Sequence, residues 1–163
     1  MRRPAPPGCG RGHAPVVLAL AALAALATPA VRAAISCSVS ATGVSFGIYT
    51  PLQTGALAAN GTIAISCTGV LYDVATVSLS TGLSGTYTNR TLRSGAAALE
   101  YNLYTNANGS QIWGNGNGGT GTGQAVLWFF APTVNLTVYG AVNAGQDPVP
   151  GTYMDTITVS VAY

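Results

Sequence analysis

The chain has 163 residues, six basic and four acidic side chains, one histidine and no lysine; that length supports one domain with a hydrophobic core, not two. His13 and four of the six arginines fall within the first 33 residues, so residues 34–163 keep Arg90 and Arg93 against Asp73, Glu100, Asp147 and Asp155. Two positive charges against four negative ones turn the net charge to −2, which excludes a basic face for nucleic acid. The missing His and Lys exclude Ser-His-Asp and Cys-His triads, lysine nucleophiles and histidine metal sites.

Residues 1–33 have the pattern of a secretory signal peptide. Arg2, Arg3 and Arg11 precede an apolar run over residues 16–27, Pro29 follows, and small residues place cleavage near Ala33/Ala34. That run is shorter than the ~20 residues a bilayer span needs, so no transmembrane segment is expected in the mature chain. Cys9 leaves with the leader, and Cys37 and Cys67 remain. An exported chain with two cysteines implies one disulfide, closed in an oxidising compartment and stabilising by roughly 3–4 kcal/mol.

The mature chain has a β pattern throughout, rich in Thr, Ser, Val, Gly, Asn and Tyr. Apolar residues alternate with polar or small ones at Val44, Phe46 and Ile48, at Ile63, Ile65 and Cys67, and at Ala75, Val77 and Leu79. The same period recurs at Leu99, Tyr101 and Leu103, and at Leu136 and Val138. Asn60-Gly61, Thr81-Gly82, Ser84-Gly85, Asn108-Gly109 and Pro150-Gly151 punctuate these runs as turns. Residues 115–123 form a Gly/Asn/Thr tract expected as a flexible surface loop. In residues 125–130 half of the side chains must face away from a core, so this run either meets a partner or is covered by a loop. The last run sets Tyr153, Asp155, Ile157, Val159, Val161 and Tyr163 on one face. It either pairs inside its own sheet or lines a groove awaiting a strand from another chain. Short strands at this spacing predict an all-β fold, an immunoglobulin-like β-sandwich.

Little here can do chemistry. Nothing in the sequence brings two of the four carboxylates together. The expectation is that Asp147 shapes a turn and that Glu100 or Asp155 pairs with an arginine. The Gly tract lacks the lysine of a phosphate loop. No enzyme activity, metal or cofactor is expected.

Five stretches, in order, carry a family resemblance: Cys37-Ser38-Val39-Ser40 with Phe46-Gly47-Ile48-Tyr49; Gly61 through Cys67; Arg90-Thr91-Leu92 leading to Leu99-Glu100-Tyr101-Asn102-Leu103-Tyr104; Ile112-Trp113-Gly114 with Tyr139-Gly140 and Ala144-Gly145-Gln146; and Gly151 through Val159. Together they resemble the spore coat protein U domain, the subunit domain of archaic (Csu-type) chaperone–usher pili, over residues 34–163. The resemblance implies an incomplete sandwich, with one strand supplied in trans by a periplasmic pilus chaperone. An outer-membrane usher then exchanges that strand for one from another pilus subunit. It also implies passage through the periplasm to the cell surface, a Cys37–Cys67 disulfide near the start of the fold, and a donor-strand groove partly lined by Ile157, Val159 and Val161. Only Ala34, Ile35 and Ser36 would precede Cys37 after cleavage, too few to donate a strand of ~10 residues. That points to a tip subunit, with Leu127, Trp128, Phe129 and Phe130 as a candidate surface or partner patch. The alternative is a stand-alone secreted carbohydrate- or surface-binding sandwich module.

Overall fold

Period-two burial organises the chain. The computed structural model describes residues 36–68, 72–128 and 133–163, all within the compact unit Ala33–Tyr163. The expected leader, residues 1–33, and Phe129 and Phe130 lie outside the described residues. Among those described, eight strands occur: β1 Ser36–Thr42, β2 Leu57–Thr68, β3 Tyr72–Leu79, β4 Arg90–Ser94, β5 Ala97–Tyr104, β6 Gly123–Trp128, β7 Thr133–Val142 and β8 Val159–Ala162. They form two open antiparallel sheets, a five-stranded one in the order β1-β2-β7-β5-β4 and a three-stranded one in the order β6-β3-β8.

Alternate residues of both sheets meet in one core. β2 contributes Ile63, Ile65 and Cys67, β3 Ala75, Val77 and Leu79, β5 Leu99, Tyr101 and Leu103, β6 Ala125 and Leu127, and β7 Val138 and Val142. Burying one aliphatic side chain of this kind stabilises by about 1.5–3 kcal/mol before chain entropy is charged. Trp113 plugs one region of the core, its Nε1–H donating to the Val77 carbonyl at 2.9 Å. Its ring lies against Gly123, where a Cβ would overlap it.

Three expectations need correction. Val44 and Phe46 do turn inward, but residues 43–50 form no strand, and Ile48 is 90% exposed. In the last run burial alternates from Tyr153 to Val161, yet only Val159–Ala162 pairs with β3, and Tyr163 is 55% exposed. The Gly/Asn tract is tied down on both sides. Thr120 is buried and donates from Oγ1 to the Asn117 carbonyl at 2.8 Å, and Gln111 Nε2 donates to the Gly119 carbonyl at 3.0 Å.

Candidate functional site

The two half-regular segments face each other. Residues 41–49, from the end of β1 onward, make one wall, and residues 148–159, running into β8, make the other. Between them lie two adjoining cavities of about 690 Å³ and about 210 Å³, which share Val44, Phe46, Leu92 and Asp155 in their linings. The smaller is floored by core side chains Ile63, Leu79, Leu103 and Val138 and walled by Ile157 and Val159. The lining of the smaller cavity is mainly apolar because the inward row of each wall continues the alternation of the sheets.

Main-chain accounting marks this cleft as unusual. Buried or half-buried N–H and C=O groups are nearly always paired. Among the described residues, neither residues 43–48 nor Ile157 make a backbone hydrogen bond. The 148–159 wall is held at intervals. Met154 and Arg93 exchange a pair of backbone bonds of 2.7 and 3.0 Å with each other, and the Ser80 N–H donates to the Thr158 carbonyl at 3.0 Å. The first wall is packed on glycines: a Cβ at Gly140 would press on Val44 and Phe46. Phe46 also meets the Tyr101 ring edge-on at 5.8 Å.

One end of the cleft is pinned. The Tyr49 hydroxyl donates to the Asn143 carbonyl and accepts from the Gln146 N–H, both at 3.0 Å. The Gln146 side chain bonds both main-chain groups of Glu100, at 2.7 and 2.9 Å. Gln146 is thus a clasp between the first wall and β5, a role the sequence reading did not assign.

Asp155 faces inward at the centre. Its Oδ2 accepts from the Tyr101 hydroxyl at 2.7 Å, and its Oδ1 accepts from the Leu83 N–H at 2.8 Å and the Thr156 N–H at 2.7 Å. Gly82, at φ +67°, leaves room for the carboxylate, since a Cβ there would overlap it. Burial pushes the Tyr101 phenol well above its ordinary value, and the hydrogen bond and charge of Asp155 add to the shift. Arg90, fully buried, donates to the Ser80 carbonyl from both Nε and Nη2, to Asn102 Oδ1 at 2.9 Å and to the Trp113 carbonyl at 2.7 Å. Burial lowers its pKa, with Tyr101, Tyr87 and Asp155 opposing. The expected carboxylate–arginine pairing therefore gives way to neutral partners. Asp155 takes a phenol and backbone amides, Glu100 accepts from Asn143 Nδ2 at 3.4 Å, and Arg90 binds carbonyls. The buried guanidinium has five donors, and these neutral acceptors take four of them without importing a second buried charge.

Of the residues singled out from sequence, Cys37 and Cys67 form a disulfide (S–S 2.08 Å) between directly paired positions of β1 and β2. Ile157 and Val159 line the cleft, whereas Val161 pairs with Val77 and packs on the core beside it. Leu127 leaves the proposed patch: it is 0% exposed, because strand alternation sends it into the core while Trp128 points out at 53%. Trp128 stacks edge-on with Tyr72 at 4.8 Å. Val44, Phe46, Leu92 and Tyr101 were missed as cleft residues. The one available signal was Asp155, an acid in an otherwise apolar row.

Fold and cleft define an all-β, disulfide-bonded domain of two open antiparallel sheets. The chain belongs to the Spore Coat Protein U domain family, whose model matches residues 22–160. It is similar to Protein U of Myxococcus xanthus, with 30% identity over 133 residues, 74% of this chain and 71% of that one. Among solved structures it is similar to the crystal structure of the CsuC–CsuE chaperone–tip adhesion subunit pre-assembly complex from the archaic chaperone-usher Csu pili of Acinetobacter baumannii. The TM-score there is 0.58 at 24% identity, over 80% of this chain and 40% of that one, and the likeness concerns the fold. The chain thus spans well under half the length of that structural relative. Among the described residues no cluster of His, Cys, Asp and Glu could hold a metal, and no helix is long and apolar enough to cross a membrane.

Proposed function

We propose that this chain is an exported, non-catalytic pilus subunit, an immunoglobulin-like sandwich lacking one strand, whose cleft receives that strand from another chain. The observation that carries the reading is the pair of inward-packed walls, residues 43–48 and Ile157, with unpaired main-chain groups on either side of an apolar cavity. An extended segment between them can hydrogen-bond both walls and seat alternate side chains on Ile63, Leu79, Leu103 and Val138. Family membership and the fold likeness to a chaperone-bound tip subunit support the same partners here: a periplasmic chaperone, an outer-membrane usher and other pilus subunits. Residues 1–33 act as the export leader, and the destination is the cell surface. The fold likeness to a tip adhesion subunit supports a place at the tip of a fibre. There Trp128 and Tyr72 serve as the surface contact, with Phe129 and Phe130 following in sequence. Trp128→Ser should then lower surface attachment severalfold with secretion unchanged, and unaltered attachment removes the patch from the proposal.

The deciding experiment is periplasmic expression of the chain with and without a cognate chaperone or a donor peptide from a neighbouring subunit, followed by size exclusion and circular dichroism. Aggregation or a low melting point alone, reversed by the donor, is the expected result. A chain that is monomeric and equally stable alone has a self-sufficient fold and is a stand-alone binding module instead.

A further inference from the structure

The cleft carries a single charged side chain, and that group restricts what can fill it. Asp155 is the one charged side chain lining either cavity, and it lines both. A carboxylate offers about four acceptor positions. Three are taken, two on Oδ1 by Leu83 and Thr156 and one on Oδ2 by Tyr101. A strand laid across the cleft seals this group from water. An apolar side chain above it removes hydration from the last acceptor position and returns nothing. Resting on the strand-acceptor reading above, we infer that Asp155 forms a polar subsite that sets the register of the incoming strand, and that the strand carries one hydrogen-bond-donating side chain opposite it, with apolar residues at its other inward positions. Side chains on one face of a strand repeat every two residues, so a slip by one pair puts an apolar group on the carboxylate and the donor in an apolar pocket. Discrimination between neighbouring registers then comes from a single residue, while the remaining contacts supply affinity.

Threonine and valine are nearly isosteric, so exchanging them isolates the hydroxyl. The exported, disulfide-bonded chain is refolded with ten-residue peptides of alternating valine, in which one inward position at a time carries Thr or Val. Affinities are measured by competition against a fluorescent all-valine parent. The expected result is one inward position at which Thr binds about tenfold more tightly than Val, the scale of a hydrogen bond to a charged group. At every other position Val is equal or better. In Asp155→Asn the preference at that position should fall below about threefold, with the other positions unchanged. A scan in which Thr is favoured nowhere overturns the subsite while leaving the cleft as a strand acceptor. A Thr preference undiminished in Asp155→Asn assigns it to another group and also overturns the subsite. Failure of every peptide to bind overturns the strand-acceptor reading and the subsite with it. The scan on the wild-type chain decides the matter even where the variant does not fold.

Discussion

Arg90 holds three parts of the chain at one point. Its guanidinium joins Ser80 just after β3, Asn102 in β5 and the loop at Trp113, with the Tyr87 ring 5.3 Å away. Truncation to alanine orphans the Ser80 and Trp113 carbonyls and empties a buried volume, so Arg90→Ala should cost roughly 3–4 kcal/mol in denaturant unfolding. Arg90→Lys should recover only part of this, because a point ammonium cannot reach all three acceptors at once. Tyr101 makes a second prediction, on pH. The folded state holds the phenolic proton more tightly than the unfolded chain, whose tyrosine titrates near 10. Above that pH the unfolded state sheds a proton that the folded state keeps, so stability falls as pH rises, and below it the contribution is constant. Tyr101→Phe should flatten the alkaline limb of a stability–pH curve by about one proton's worth of slope. Neither role was legible in the sequence, because a buried arginine and a surface arginine look alike until the partners are placed. Asp155 was the exception: its inward position in an apolar row is visible in the sequence, although its bonding to neutral groups is not.

At the scale of the strands, alternation identified the inward rows of β2, β3 and β5, but Leu127 was assigned to the exposed patch although β6 sends it inward and Trp128 outward, and Ile48 was set in an inward row although it is exposed. It did not identify which backbones pair. Residues 153–158 alternate in burial as regularly as β2 does, and packing against the core is enough to produce that pattern. A ladder also needs a neighbour at the right distance, and residues 44–48 and 155–157 face a gap. Periodicity therefore marks both walls as strands, although among the described residues neither 43–48 nor Ile157 has a backbone partner. The disulfide governs one wall. It joins positions 30 residues apart and fixes the edge strand from which residues 43–49 depart. Replacing both cysteines with serine should cost roughly 3–4 kcal/mol and raise amide hydrogen exchange in β1 before it does so in β7. Ile157→Ala removes half-buried apolar surface from the other wall. It should weaken donor binding about tenfold by competition while lowering the stability of the complemented fold by less than a core truncation would.

For the whole molecule, a strand that binds only the folded form adds stability by mass action. Donor peptide at a hundred times its Kd should contribute about 2.7 kcal/mol, and the melting point should climb with peptide concentration without a plateau until solubility intervenes. A melting point indifferent to donor would contradict the incomplete fold. The topology has a consequence for timing as well. The Thr158 N–H reaches back to Ser80 Oγ across 78 residues, and β8 completes the three-stranded sheet from the same distance. During export, N-terminus first, β1 and β2 can meet and oxidise while β3 still waits for its second neighbour. Pairings this remote in sequence are slow, and they leave apolar surface bare in the meantime. The interval between emergence of β3 and arrival of β8 is therefore when the nascent chain is most prone to aggregate, and a helper that waits for the finished cleft would come too late to shield it.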